Sequence, residues 1–193
     1  MKHEKKVKVW DPFIRIFHWS LASAFVLAYI TEEDVLSVHT LAGYVVLGLI
    51  VLRLVWGFIG TPHARFTDFA YSPANVWVFL TETIYFRAKR YLGHNPAGGA
   101  MIFLLLISLL LTVFSGLAVY GTENSGPVAV LLAGAGEYVK EALEEVHEFF
   151  ANLTLLLVFI HVGGVVVESL IHRENLVASM VHGYKRAAEE GDA

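Results

Sequence analysis

Four apolar runs dominate this chain, at residues 13–30, 38–59, 100–120 and 149–171. Each is close to the ~20 residues that an α-helix needs to cross the hydrocarbon core of a bilayer. Lipid offers no water to satisfy backbone N–H and C=O groups, so a spanning segment must be a helix or part of a closed β-barrel. A barrel needs many short strands of alternating polarity, and these runs do not alternate. A hydrophobic content of 56% over 193 residues is too high for an ordinary water-soluble domain. The expected fold is all-α: one domain over residues 1–193, built as a four-transmembrane-helix bundle, with a frayed tail at 187–193.

The first run follows a Lys-rich start, as in a signal peptide. It is long enough to span, has no clear small-residue cleavage site, and carries Arg15 and His18, so it reads as a retained helix. Lys and Arg concentrate on the cytoplasmic side of membrane proteins. Here Lys2, Lys5, Lys6, Lys8 and Arg15 lie at the N-terminal end. Arg53, Arg65, Arg87, Lys89 and Arg90 lie in or beside the second connection, and Arg173, Lys185 and Arg186 follow the fourth run. Only Lys140 falls on the other side, so both termini are expected in the cytoplasm. Trp10, Trp19, Trp56 and Trp77 collect at the same boundary, as an interfacial belt does. Within the second, cytoplasmic connection, Ser72-Pro73 marks a helix start. The apolar run after it suits a helix lying in the interface. The chain has no cysteine, which excludes disulfides, thiolate-ligated clusters and covalently attached c-type haem.

Histidine depth then follows from topology. His39 opens the second helix just after an outer turn, Glu32-Glu33-Asp34, and His147 opens the fourth just after the outer loop. His18 sits about a turn inside the cytoplasmic end of the first helix. His161 follows His147 by fourteen residues, ~21 Å of helical rise on nearly the same face. The depth-matched pairs are His39 with His147 and His18 with His161. Each joins two helices at one level, as bis-histidine haem ligation requires. A two-ligand metal site, a proton relay and structural hydrogen bonds use the same pairs. Haem is preferred to zinc because no third ligand is apparent at either level. Gly43, one turn after His39, gives clearance for a flat macrocycle, as do Ala22 and Gly164 near the other pair. Arg15, one turn from His18, and Arg53, fourteen residues after His39, suit propionates. Glu168 follows His161 by seven residues. It is a candidate proton carrier in quinone chemistry, a partner for Arg15 or Arg53, or a snorkelling interfacial acid. His172 reads as a surface residue, and no third haem is expected at His63 or His94.

The segments WDPFIRIFHWSLA, HTLAGYVVLGLIVLRLVWGFIG, GHNPAGG, EVHEFFANLTLLLVFIHVGGV and HRENLVASMVHGYKR resemble the bacterial cytochrome b561 and nickel-hydrogenase b-subunit family, in order and over nearly the whole chain. The resemblance implies four helices and two non-covalent b-type haems. It carries axial ligation onto His18 and His161 for the cytoplasmic haem, and onto His39 and His147 for the outer one.

The expected function is transmembrane electron transfer in the bacterial inner membrane, between the quinone pool and a periplasmic redox partner. The protein would be a free-standing carrier or a subunit of a quinone-linked oxidoreductase, with no catalytic side chain. Glu32, Glu33, Asp34, Glu123, Glu137, Glu141, Glu144, Glu145 and Glu148 oppose Lys140 alone on the outer side, a field that would steer a basic c-type cytochrome. Membrane lipid is the solvent, and no nucleic-acid partner is expected. Two rival functions remain. One is the membrane anchor and electron conduit of a hydrogenase or molybdenum enzyme. The other is a histidine-based ion or metal transporter, against which the lack of a repeat or broken helix pair counts.

Overall fold

The computed structural model describes residues 5–32, 35–132 and 134–187. The elements in order are β1 (Lys6–Lys8), α1 (Pro12–Ile30), α2 (Leu36–Ile59), a 3-10 turn (Phe66–Asp68), α3 (Pro73–Ile84), α4 (Pro96–Thr122), α5 (Ala129–Leu132), α6 (Glu137–Ile171), α7 (Leu176–His182) and β2 (Tyr184–Arg186). Four of these helices, α1, α2, α4 and α6, are long and apolar enough to cross a membrane. Each carries large apolar side chains that stand exposed, among them Ile16, Ile30, Phe58, Ile59, Phe114 and Phe159. In water such a surface would drive association. In lipid it is the solvated face.

The helix ends follow local chemistry. Ser72 caps α3 by accepting from the Asn75 amide at 3.2 Å, with Pro73 at the first helical position. Helix α6 begins at Glu137 rather than near Phe149. Its added turns are rich in glutamate, a good helix former that needs no lipid-facing run to be helical. The acidic turn residues Glu33 and Asp34 lie outside the described residues, as does the expected tail beyond Ala187. The Ala187 amide itself bonds the Lys5 carbonyl at 2.8 Å.

The described residues divide into two compact units. The first comprises Met1–Trp19, Leu52–Phe103 and Phe159–Ala193. In it β1 and β2 pair antiparallel, Val7 opposite Lys185, a small sheet that periodicity in the sequence did not announce. The Val9 and Trp10 amides continue the pairing onto the Gly183 carbonyl. Gly183 ends α7 at φ +90°, and a Cβ there would meet the Trp10 carbonyl oxygen at 2.7 Å, so only glycine fits. Val9, Trp10, Ile14 and Ala64 form a core that Phe13, Trp56 and Met180 complete.

Asp11 organises the polar side of that core. One carboxylate oxygen caps α1 at the Ile14 amide (2.9 Å). The other accepts from Trp56 Nε1 (3.2 Å) and Thr61 Oγ1 (2.5 Å). Burial pushes its carboxyl up, but these bonds outweigh it and hold the group below its ordinary value. A second buried network joins Arg90, Glu174 and β2. Arg90 grips the Glu174 carboxylate at 2.9 to 3.2 Å, the Arg186 amide donates to it at 2.8 Å, and Arg90 Nη2 donates to the Arg186 carbonyl at 2.6 Å.

The second unit comprises Ser20–Val51 and Leu104–Val158. Its buried residues include Phe25 on α1, Ala42, Val46 and Ile50 on α2, and Leu106 and Leu109 on α4. Polar side chains also meet between helices. Thr154 Oγ1, fully buried on α6, meets Ser108 Oγ at 2.7 Å and Thr112 Oγ1 at 3.1 Å on α4. Tyr29 on α1 donates to Asn152 Oδ1 on α6 at 2.8 Å. Such bonds link helices where packing alone supplies little preference over lipid.

Candidate haem-binding sites

In the second unit, α2 and α6 bring the rings of His39 and His147 to a centroid separation of 6.0 Å, with planes crossing at 89°. His39 Nδ1 lies 2.9 Å from the Ala28 carbonyl oxygen, and His147 Nδ1 lies 2.9 Å from that of Thr112 and 3.2 Å from Ser115 Oγ. A carbonyl only accepts, so each Nδ1 carries the proton and each Nε2 keeps its lone pair. The His147 ring lies against α4 because Gly116 has no Cβ; one built there would be 2.7 Å from the ring. Space beside Gly43 and Gly48 is open on α2, with no heavy atom within 4 Å of a built Cβ.

In the first unit, α1 and α6 bring the rings of His18 and His161 to 6.3 Å, with planes at 51°. Gly163 and Gly164 beside His161 are likewise open. His18 Nδ1 is buried without a hydrogen-bond partner among the described residues. Two cations of this unit also hold buried donors that lack an acceptor among the described residues. Arg15 donates Nη1 to the Val181 carbonyl at 2.5 Å, but its Nε is unpartnered. Arg53 is 3% exposed, its guanidinium stacks 4.8 Å from the Phe66 ring centre, and its Nη1 is unpartnered. A buried guanidinium with an unmet donor is costly unless an anion completes it.

Both ring separations leave room for a metal ion between the two imidazoles, at ~2.0 Å from a nitrogen of each. Open glycine faces fit a flat macrocycle, and the unmet Arg15 and Arg53 donors fit its propionates. Among the described residues no group of three or more His, Cys, Asp or Glu could hold a metal ion.

Glu168 is partnered with neither arginine. Its carboxylate accepts from Asn95 Nδ2 at 3.0 Å and Thr83 Oγ1 at 3.5 Å, and lies 3.3 Å from His172 Nε2. The glutamate and His172 side chains are only 12% and 14% exposed, so neither is a free surface group. His94, which flanks the interfacial helix in the sequence, packs against the aromatic residues of the first unit. It is half-buried between Trp10 and Phe69, at ring separations of 4.6 and 4.7 Å, with its Nδ1 atom out of contact with solvent. Burial, then the Arg53 and Lys185 charges, push it down to about 3, so it is neutral. It borders a cavity of about 360 Å³ lined also by His63, Asp68, Tyr71 and Tyr91.

Three relatives are each the probable Ni/Fe-hydrogenase B-type cytochrome subunit of its organism. That of Rhodobacter capsulatus is 22% identical, over 96% of this chain and 83% of its own. That of Rhizobium leguminosarum bv. viciae is 25% identical, over 97% and 92%. That of Cupriavidus necator is 25% identical, over 95% and 88%. No solved structure matches. The family profile described as prokaryotic cytochrome b561 matches residues 9–183, most of the chain. With four membrane-length helices, the chain therefore belongs to the prokaryotic cytochrome b561 family, membrane electron-transfer proteins whose membership implies b-type haem.

Proposed function

We propose that this protein carries electrons across the bacterial inner membrane through two b-type haems, one held by His18 and His161 and one by His39 and His147. The observation that carries this reading is the pair of ring separations, 6.3 and 6.0 Å, each between two long apolar helices. Bound haem supplies a one-electron ferric/ferrous couple. With haem bound, His18, His161, His39 and His147 would hold the two irons, and the chemistry supplied would be electron transfer rather than binding of oxygen or substrate. Ala28 and Thr112, through their carbonyls, fix the tautomers of His39 and His147. Arg15 and Arg53 bind propionates, and Gly43 gives the ring clearance on α2. Both termini and the α3 surface lie on the cytoplasmic side, with Trp77, Val78 and Ile84 of α3 in the interface.

At the cytoplasmic end Glu168 serves a quinone. Its carboxylate, held by Asn95 and Thr83 and paired to His172, takes or returns a proton as the quinone changes redox state. Quinol added to the purified protein should reduce its b-type absorption. Glu168→Gln keeps a hydrogen-bonding side chain but no proton carrier, and is expected to slow that reduction at least tenfold, with haem content unchanged. Normal kinetics in this variant would remove the proton role.

At the other end Glu123, Glu137, Glu141, Glu144, Glu145 and Glu148 attract a basic redox protein such as a c-type cytochrome, at rates that fall with ionic strength. A second reading makes the chain the membrane subunit of a hydrogenase complex; its similarity to Ni/Fe-hydrogenase B-type cytochrome subunits supports it. Co-purification of a large redox subunit separates it from the free-standing carrier.

A further inference from the structure

The two histidine pairs differ in what surrounds them, and the differences act on redox potential with one sign. In the His39–His147 pair both Nδ1–H groups donate to backbone carbonyls, at 2.9 Å each, and His147 has Ser115 Oγ as a further neighbour. Donation to a carbonyl pushes imidazole toward imidazolate character and makes it a better electron donor to a bound metal. A stronger donor favours the ferric state over the ferrous one. In the other pair His18 Nδ1 has no acceptor among the described residues, so that ring lacks this assistance.

Charge points the same way. The unit holding His18 and His161 contains the buried Arg53 and the half-buried Arg15, each with a donor that nothing among the described residues satisfies. Cations near a haem oppose the extra positive charge of the ferric state, and they cancel the negative charge of the propionates that would otherwise favour it. The unit holding His39 and His147 contains no arginine, and Lys140 is its one lysine against nine acidic residues. Lys140 is itself taken up by Glu123 at 3.4 Å and Glu144 at 3.8 Å. Most of those acids are exposed and screened, so each counts for little. What matters more is that this unit offers no buried cation to neutralise propionates.

We infer that the residues around His39 and His147 hold their haem at a lower potential than the residues around His18 and His161 hold theirs, so that electrons run downhill from the first pair to the second. This rests on the two-haem reading above. An electron moving in that direction oxidises the iron at His39–His147 from ferrous to ferric. It reduces the iron at His18–His161 from ferric to ferrous, and no bond or proton changes. The Ala28 and Thr112 carbonyls, with Arg15 and Arg53, are the positioning and charge-setting groups responsible.

The ring planes supply the assignment needed to test this. Crossed imidazoles donate almost equally to two iron d orbitals, leaving them nearly degenerate, so the 89° pair should give the more anisotropic low-spin ferric resonance and the 51° pair the less anisotropic one. The experiment is a potentiometric titration of the purified full-length protein followed by electron paramagnetic resonance. The more anisotropic signal is expected to be the last lost on reduction, with at least a tenfold equilibrium preference for the electron on the other haem, about 59 mV for one electron. Arg15→Gln should lower the potential of the less anisotropic signal and leave the other in place. Two signals that titrate together or in reverse order, or an Arg15→Gln shift in the wrong signal, would overturn the inference. Failure to find two low-spin haem signals would instead overturn the two-haem reading on which it rests.

Discussion

Replacing His147 with alanine is expected to lower the haem content from about two per chain to about one, with a b-type spectrum surviving from the remaining site. Loss of groups that merely orient a metal ligand already costs about 10–100-fold in affinity, and loss of the ligand itself costs more. His161→Ala should produce the same halving from the other site, because each pair lies within its own compact unit. Ser115→Ala is the control. It removes a neighbour of the His147 ring at 3.2 Å but leaves the Thr112 carbonyl at 2.9 Å, so both haems should stay. Retention of two haems in both histidine variants would show that the paired rings are not the ligands.

The largest effect on stability is expected at Arg90. Its side chain and that of Glu174 are 9% and 10% exposed, so Arg90→Ala removes the bidentate partner of a buried carboxylate and leaves it to the Arg186 amide and the more distant Lys185 charge. Breaking a buried pair from one side costs about 3–5 kcal/mol, roughly 10 °C in melting temperature for a chain of this length. The pH dependence has a definite sign. Burial pushes the Glu174 carboxyl up, but Arg90 and the Arg186 amide outweigh that and hold it below its ordinary value. A carboxyl depressed by folding stabilises above its unfolded pKa of ~4.3, and that contribution is lost as pH falls through the folded value. Thermal unfolding of the detergent-solubilised protein should therefore show a difference between wild type and Arg90→Ala that shrinks on acidification. A constant difference down to low pH would assign the loss to packing instead.

What could be read from the sequence follows from how local each constraint is. Four apolar runs declare helices because the thickness of a membrane fixes their length, and the structure moves their ends rather than their number. The histidine pairs could be proposed because helix rise and alternating direction set depth, and the rings of each proposed pair do meet. The carbonyls of Ala28 and Thr112 could not be named, since every residue has a carbonyl and only packing brings one to a ring. The β1–β2 pair joins two three-residue segments from opposite ends of the chain, too short for any periodicity to show. Arg90 counted in the sequence only as one of many cytoplasmic cations, and nothing local tied it to Glu174. The seven-residue offset of Glu168 from His161 suggests Arg15 or Arg53 as its partner, but Asn95 of the GHNPAGG segment and His172 reach it instead. His94 shows the same limit: glycine and proline around it signal a turn, while its burial depends on Trp10, eighty-four residues away.

The most direct test of the account is a dithionite-reduced minus oxidised optical spectrum of the purified protein, with extracted haem counted per chain. The account predicts a sharp b-type spectrum and about two haems per chain, as two bis-histidine sites require. One haem per chain would contradict one of the two pairings. A folded protein from a haem-sufficient host with no b-type absorption would contradict electron transfer through these histidines altogether.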